Sequence, residues 1–251
     1  MCDECGCGNP DTTKTAGDNA ASHHEHKHTH DHGDVKILEL GADVRARNDA
    51  IAAGTRNLLK KRGITVINLI SSPGSGKTTL LEKTLVALKD EIKIAVVEGD
   101  QQTDRDAERI RACGVPVVQI NTISSCHLDA HQVAHAIEDL PLDGVKMLVI
   151  ENVGNLVCPA SFDLGEAMKV VLLSVTEGDD KPLKYPLAFH NAGAMVITKT
   201  DLLPHVDFDV KKCRSFAKRV NPALKIIETS CRGAGDLSQW LDFVRGFGTD
   251  K

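Results

Sequence analysis

The chain has 251 residues, 41% of them hydrophobic and 26% charged, with a formal net charge of −5. That length admits one large domain with a tail or two small domains, and the composition is that of an ordinary globular chain. No apolar run approaches the ~18–20 residues of a spanning helix, and no basic stripe stands out, so neither a membrane nor a nucleic acid is an expected partner.

Residues 1–34 carry Cys2, Cys5 and Cys7, then polar residues, then His23, His24, His26, His28, His30 and His32. Almost nothing there offsets the cost of ordering backbone, so a disordered tail is expected. The first residues contain neither a basic nor an apolar export region, which points to the cytoplasm and to reduced thiols. The 8 Cys and 11 His then suit metal binding better than disulfides. A helical segment is expected over 35–62: from Asp43 to Arg62, Val44, Ile51 and Leu58 recur every seven residues, and Gly63 is a natural stop.

From residue 63 to 251, β-branched runs alternate with helical stretches. Expected strands are Thr65–Ile70, Lys93–Glu98, Val117–Asn121, Lys146–Glu151, Val170–Val175, Met195–Lys199 and Lys225–Thr229. Expected helices are Lys77–Lys89, Arg105–Cys113, Leu128–Leu140, Asp209–Val220 and Leu237–Phe247. The strands are continuously apolar and aromatics are only 3%. An aliphatic, mostly parallel sheet covered on both faces, a doubly wound α/β domain, is therefore expected.

The first strand enters Ser71-Ser72-Pro73-Gly74-Ser75-Gly76-Lys77-Thr78-Thr79 and then a helix, which is the P-loop arrangement. Gly74, Ser75 and Gly76 curl the backbone so that N–H groups face a phosphate; Lys77 reaches the β- and γ-phosphates; Thr78 and Thr79 open the helix, with the Thr78 hydroxyl offered to Mg²⁺. Position 71 is Ser where the strict pattern has Gly. Asp100 and Glu151 end strands and supply carboxylates for magnesium and the attacking water, unless they only cap the helices that follow. The N–H of Gly154 is placed to meet a γ-phosphate. Lys77, Asp100, Glu151 and Gly154 are thus the expected catalytic set.

Thr198-Lys199-Thr200-Asp201 sits where guanine-nucleotide proteins carry Asn-Lys-x-Asp. The Asp201 carboxylate suits guanine N1–H and its 2-amino group, and adenine has neither. Lys199 lays its stem over the ring, and Ser230 and Cys231 belong to the segment that meets guanine O6. GTP is therefore favoured over ATP, with Thr198 in place of Asn weakening the base contact.

Cys2, Cys5 and Cys7 place three thiols within six residues, a set suited to Zn²⁺, Cu⁺ or Ni²⁺; with Met1 removed, the Cys2 amine would complete an N,S₃ set for square-planar Ni²⁺. The histidine run binds nickel weakly or is simply a solvated tail. Cys126 and His127 follow the third strand and Cys158 follows the fourth. They converge beside the nucleotide as a nickel or zinc site, unless the cysteines serve only as small core residues. His131 and His135 read as a packed or solvated helix face.

Together, the segments 71–79, 98–103, 126–130, 151–159, 179–186 and 199–204 resemble the HypB family, GTPases that help insert nickel into [NiFe]-hydrogenase. The resemblance covers roughly residues 35–247. It implies a P-loop fold of the signal-recognition and MinD type, and a slow GTPase that works as a metal- and nucleotide-dependent homodimer. It also implies a high-affinity nickel site at Cys2, Cys5 and Cys7 and a zinc or nickel site at Cys126, His127 and Cys158 at the dimer interface. The partners it implies are a small nickel/zinc protein of the HypA type and the hydrogenase large subunit. Nickel storage, or service to another nickel enzyme such as urease, are the competing readings.

Overall fold

The computed structural model describes residues 33–100, 105–122, 125–232 and 236–248. The elements in order are α1 (Gly33–Lys61), β1 (Thr65–Ser71), α2 (Lys77–Leu88), β2 (Ile94–Asp100), α3 (Arg105–Ala112) and β3 (Val117–Asn121). Next come α4 (Ala130–Glu138), β4 (Met147–Gly154), α5 (Cys158–Ser161), β5 (Met168–Ser174), α6 (Lys181–Lys184) and α7 (Pro186–His190). The chain continues through β6 (Ala192–Thr198), a 3₁₀ turn (Thr200–His205), α8 (Val210–Val220), β7 (Lys225–Glu228) and α9 (Ser238–Gly248). All seven expected strands form, displaced at their ends by no more than a few residues.

The strands make one parallel sheet in the order β3-β2-β4-β1-β5-β6-β7. The winding reverses at β1, whose neighbours β4 and β5 begin the two halves. In such a sheet the ligand crevice lies beyond the carboxyl end of the central strand, which is where the P-loop leaves β1.

Alternate strand residues sort the core to the two faces. Ile67, Leu69, Val96, Val149 and Val170 meet Leu80, Leu81, Leu85 and Leu88 of α2 and Trp240 and Phe243 of α9. On the other face Val66, Val97, Leu148 and Ile150 meet Leu59 of α1 and Val133, Ala136 and Ile137 of α4. Beyond β1, Val171, Leu173, Met195 and Ile197 pack on Phe189 of α7 and on Cys213 and Ala217 of α8. Cys213 is buried and its thiol is pushed up to about 12 by that burial, so it acts as an apolar filler.

α1 departs from expectation in its packed face. It runs from Gly33 to Lys61, close to the expected 35–62. Its buried residues are Asn48, Ala52, Thr55 and Leu59, whereas Val44 and Leu58 are exposed. Apart from Leu59 the described part of the packed face is small or polar, so hydrophobic spacing pointed to the wrong stripe. Asn48 explains the choice: its side-chain carbonyl accepts from the Ala130 N–H at 2.9 Å and its amide donates to the Asp163 carbonyl at 2.8 Å. Arg56 Nη2 donates to both carboxylate oxygens of Asp163, at 2.5 and 2.6 Å.

Candidate functional site

A cavity of about 620 Å³ opens at the carboxyl end of β1, a volume in the range of small-molecule and cofactor sites. Gly76 has φ +97°, a left-handed turn that glycine adopts without strain, and hands the chain into α2. Ser71, at the position of the missing glycine, has a use: its hydroxyl donates to the Ser72 carbonyl at 2.8 Å and accepts from the Lys77 ammonium at 3.0 Å. Burial pulls Lys77 below its ordinary value, against the opposing pull of Glu151, Asp106 and Glu98. A side chain at Gly154 would meet the Pro73 backbone at 3.1 Å, so β4 and the P-loop touch only because that residue is glycine.

The charged floor holds more carboxylates than the sequence reading named. Glu151 and Glu98 lie in register on neighbouring strands, are 3% and 2% exposed, and each has one buried oxygen without a partner. Burial pushes Glu98 up to about 8, helped by Glu151 and Asp100. Burial likewise lifts Glu151 to about 7, with Lys77 and the Thr78 hydroxyl holding it back. Asp100 lines the same cavity.

Thr78 reveals what the floor fits. Its Oγ1 lies 2.7 Å from Glu151 Oε1 and 3.0 Å from Asp106 Oδ2. One hydroxyl has one proton, so it serves only one of them. A hard divalent cation taking the hydroxyl lone pair and the two carboxylates would satisfy all three, together with the orphaned Glu151 oxygen; magnesium prefers such oxygen donors. Asp106 was missed because it sits in a short charged helix and reads as surface; its only signal is an acid in the first turn of the helix that follows Asp100.

At the other end of the cavity, Lys199 has φ +59°, alone in the left-handed region among the described non-glycine residues. Its ammonium donates to the Gly74 carbonyl at 2.6 Å, so the stem bridges the P-loop. The Thr198 hydroxyl donates to the Ser75 carbonyl at 2.6 Å. Thr198 thus ties the segment after β6 to the P-loop, a bond a hydroxyl can make. The Ser230 hydroxyl donates to Asp201 Oδ1 at 2.5 Å and orients that carboxylate. Cys231 lines the cavity beside them.

Cys126, His127 and Cys158 do converge, with ligand atoms within 4.8 Å of one another, all half-buried. Cys126 Sγ is 3.0 Å from Cys158 Sγ and 3.8 Å from His127 Nδ1. Tetrahedral Zn–S bonds of about 2.3 Å imply a ligand–ligand edge of about 3.8 Å, so the sulfurs need only part by under an ångström to admit an ion. The contact with the Cys126 sulfur, which favours a protonated Cys158, raises the Cys158 thiol, with burial second. Burial lowers His127, which favours the neutral imidazole that ligates metals. The His127 ring rests on Phe162, centroids 4.1 Å apart. His131 and His135 lie on the exposed face of α4, as expected.

Two asparagines stitch this corner to the phosphate floor, a role that sequence reading had not given them. Asn152 Oδ1 accepts from the N–H groups of Leu128, 3.3 Å, and Val153, 3.0 Å. Asn155 donates to the Cys126 carbonyl at 3.3 Å, accepts from the Val157 N–H at 2.9 Å, and bridges to Ser71. Cys2, Cys5, Cys7 and the histidines from His23 to His32 lie outside the described residues.

Comparison with known proteins follows the same lines. Residues 65–228 match the CobW/HypB/UreG nucleotide-binding domain. The hydrogenase maturation factor HypB of Azotobacter chroococcum is 56% identical over 210 residues, covering 83% of this chain and 68% of that protein. The Helicobacter pylori hydrogenase/urease maturation factor HypB is 44% identical over 215 residues, covering 84% and 87%. The crystal structure of H. pylori HypB in complex with nickel superposes with a TM-score of 0.74 at 41% identity, covering 82% of this chain and 99% of that one.

Proposed function

Because the chain belongs to the CobW/HypB/UreG family, and within it to the HypB hydrogenase maturation factors, we propose that it binds and hydrolyses GTP with Mg²⁺ and uses that cycle to hold and release nickel for the [NiFe]-hydrogenase large subunit. Lys77 leaves Ser71 for the β- and γ-phosphates. Thr78, Glu151 and Asp106, with Asp100 at the rim, hold the magnesium, which supplies charge neutralisation at the transferring phosphoryl group. Gly154, pressed on the P-loop, offers its N–H to the γ-phosphate. Asp201, oriented by Ser230, selects guanine.

The observation that carries this reading is β4 itself. One strand runs from Glu151 at the phosphate floor to the loop that opens α5 at Cys158, and Asn152 and Asn155 fasten its end to the Cys126–Leu128 segment. A change at Gly154 on loss of the γ-phosphate therefore moves a thiol ligand. The corner offers three donors where a closed site needs four. A second copy of the chain supplies the fourth, which makes dimerisation metal-dependent. Hydrolysis times release and is slow. The amino-terminal Cys2, Cys5 and Cys7 hold a separate nickel ion, a HypA-type nickel/zinc protein takes part in the transfer, and the work is done in the cytoplasm. The H. pylori relative's name joins urease to hydrogenase, and a second nickel enzyme is the alternative recipient.

The test compares guanine and adenine nucleotides on the full chain and on Asp201→Ala. Tight guanine binding that loses its preference over adenine by about two orders of magnitude in the variant is expected. Equal binding of both nucleotides by the unaltered chain would contradict the reading.

A further inference from the structure

α3 has eight residues, of which only Ala107 and Ile110 are buried. A helix so short has little stability of its own, and its two apolar anchors, Ala107 and Ile110, seat it on the core without setting where the polar side chains on its other face point. Yet it presents Asp106 to the Thr78 hydroxyl at 3.0 Å. What fixes it is polar. Arg109 forks onto Glu82 of α2, Nε to Oε1 at 3.1 Å and Nη2 to Oε2 at 2.5 Å. The same Nη2 donates to the Thr79 hydroxyl at 3.1 Å, and Nη1 donates to Asp106 Oδ1 at 3.1 Å. The guanidinium therefore holds one Asp106 oxygen and leaves the other turned toward Thr78. From Glu82 through Arg109 and Asp106, the side chains link the second turn of α2 to the Thr78 hydroxyl, which also lies 2.7 Å from Glu151 Oε1 on β4.

We propose that Arg109, braced by Glu82, is the positioning residue of the divalent-cation site: it sets Asp106 where the cation of the bound nucleotide needs a carboxylate. This rests on the reading of the cavity as a magnesium–guanine-nucleotide site. Arg109 is a cation beside an acid-rich pocket, so charge alone and position alone predict opposite effects of removing it. By charge alone, its loss would leave the pocket more negative and tighten a divalent cation. By position, its loss frees Asp106 and weakens the cation. The planar fork also matters, because a lysine keeps the charge but not two parallel bonds to Glu82 and a third to Asp106.

The experiment titrates Mn²⁺ into the GDP-saturated full chain, read by electron paramagnetic resonance, for the unaltered protein, Arg109→Gln, Glu82→Gln and Arg109→Lys. GDP affinity without divalent cation is measured alongside. The expected result is Mn²⁺ binding weakened about tenfold in Arg109→Gln and Glu82→Gln and several-fold in Arg109→Lys, the loss of one to two charge-assisted bonds. GDP affinity without cation stays within about twofold in all of them, which also reports that each folds. Mn²⁺ binding that is unchanged or tighter in Arg109→Gln, or unaltered in Arg109→Lys, overturns the proposal. Failure of the unaltered chain to bind GDP at all would instead overturn the nucleotide reading beneath it.

Discussion

The phosphate floor and the thiol corner sit at the same end of one sheet and are built in opposite ways. The floor is a contiguous loop closing on hard oxygen donors: Thr78 and Glu151 are at most 8% exposed, with the partly exposed Asp106 beside them. The corner gathers soft donors from the loop before α4 and from the first residue of α5, half in solvent. Hard, preorganised donors suit a resident magnesium ion and a charged transition state. Soft, half-exposed donors suit a metal that must arrive and leave. Among the described residues, the end of β4 belongs to both.

The largest effect that would sharpen this contrast is at Lys77. Lys77→Ala should lower single-turnover GTP hydrolysis by about 10²- to 10³-fold, while nickel bound per chain stays unchanged. Joint loss of both would mean that the two regions are not separable. Cys126→Ala should remove one bound metal per site and the metal dependence of dimerisation, read by metal analysis and light scattering, with GDP affinity intact. Asn155→Ala should keep both sites but reduce, several-fold, the effect of bound metal on hydrolysis, since it removes a bond of about 1 kcal/mol between them.

The smallest effect is electrostatic. Glu98 and Glu151 have folded values of about 8 and about 7, above the ordinary 4.5, so folding favours their protonated forms. Their contribution is full below about pH 4.5 and is lost as pH rises through about 7 to 8. Glu98→Gln in the nucleotide-free protein should therefore flatten the fall in melting temperature between about pH 5 and pH 8 and raise it by roughly 2–4 °C near pH 8.5. A variant melting in parallel with the parent from pH 5 to 9 would show that Glu98 is ionised without cost.

The floor was the more legible region because its chemistry is local. Strand, glycine turn, Lys77 and Thr78 follow one another in sequence, and the apolar runs place Asp100 and Glu151 at strand ends. What stayed hidden was what the fold brings in sideways. Asp106 and Arg109 reach the site only because α3 docks on α2, and Glu98 faces Glu151 only through sheet register. The thiol corner joins residues 32 positions apart, and spacing alone left its cysteines open to a purely structural role. α1 misled because, beside Leu59, its packed face is built from Asn48, Ala52 and Thr55, which hold by hydrogen bonds and small size as much as by hydropathy.

The central claim is that nucleotide state is felt at the thiol corner. The most direct test is a nickel titration of the full chain with Cys2, Cys5 and Cys7 replaced by Ser, saturated either with GDP or with a non-hydrolysable GTP analogue. The account predicts one bound nickel at Cys126, His127 and Cys158 whose affinity differs between the two nucleotides by about tenfold, a coupling of about 1.4 kcal/mol. Identical nickel affinity with both nucleotides would contradict it.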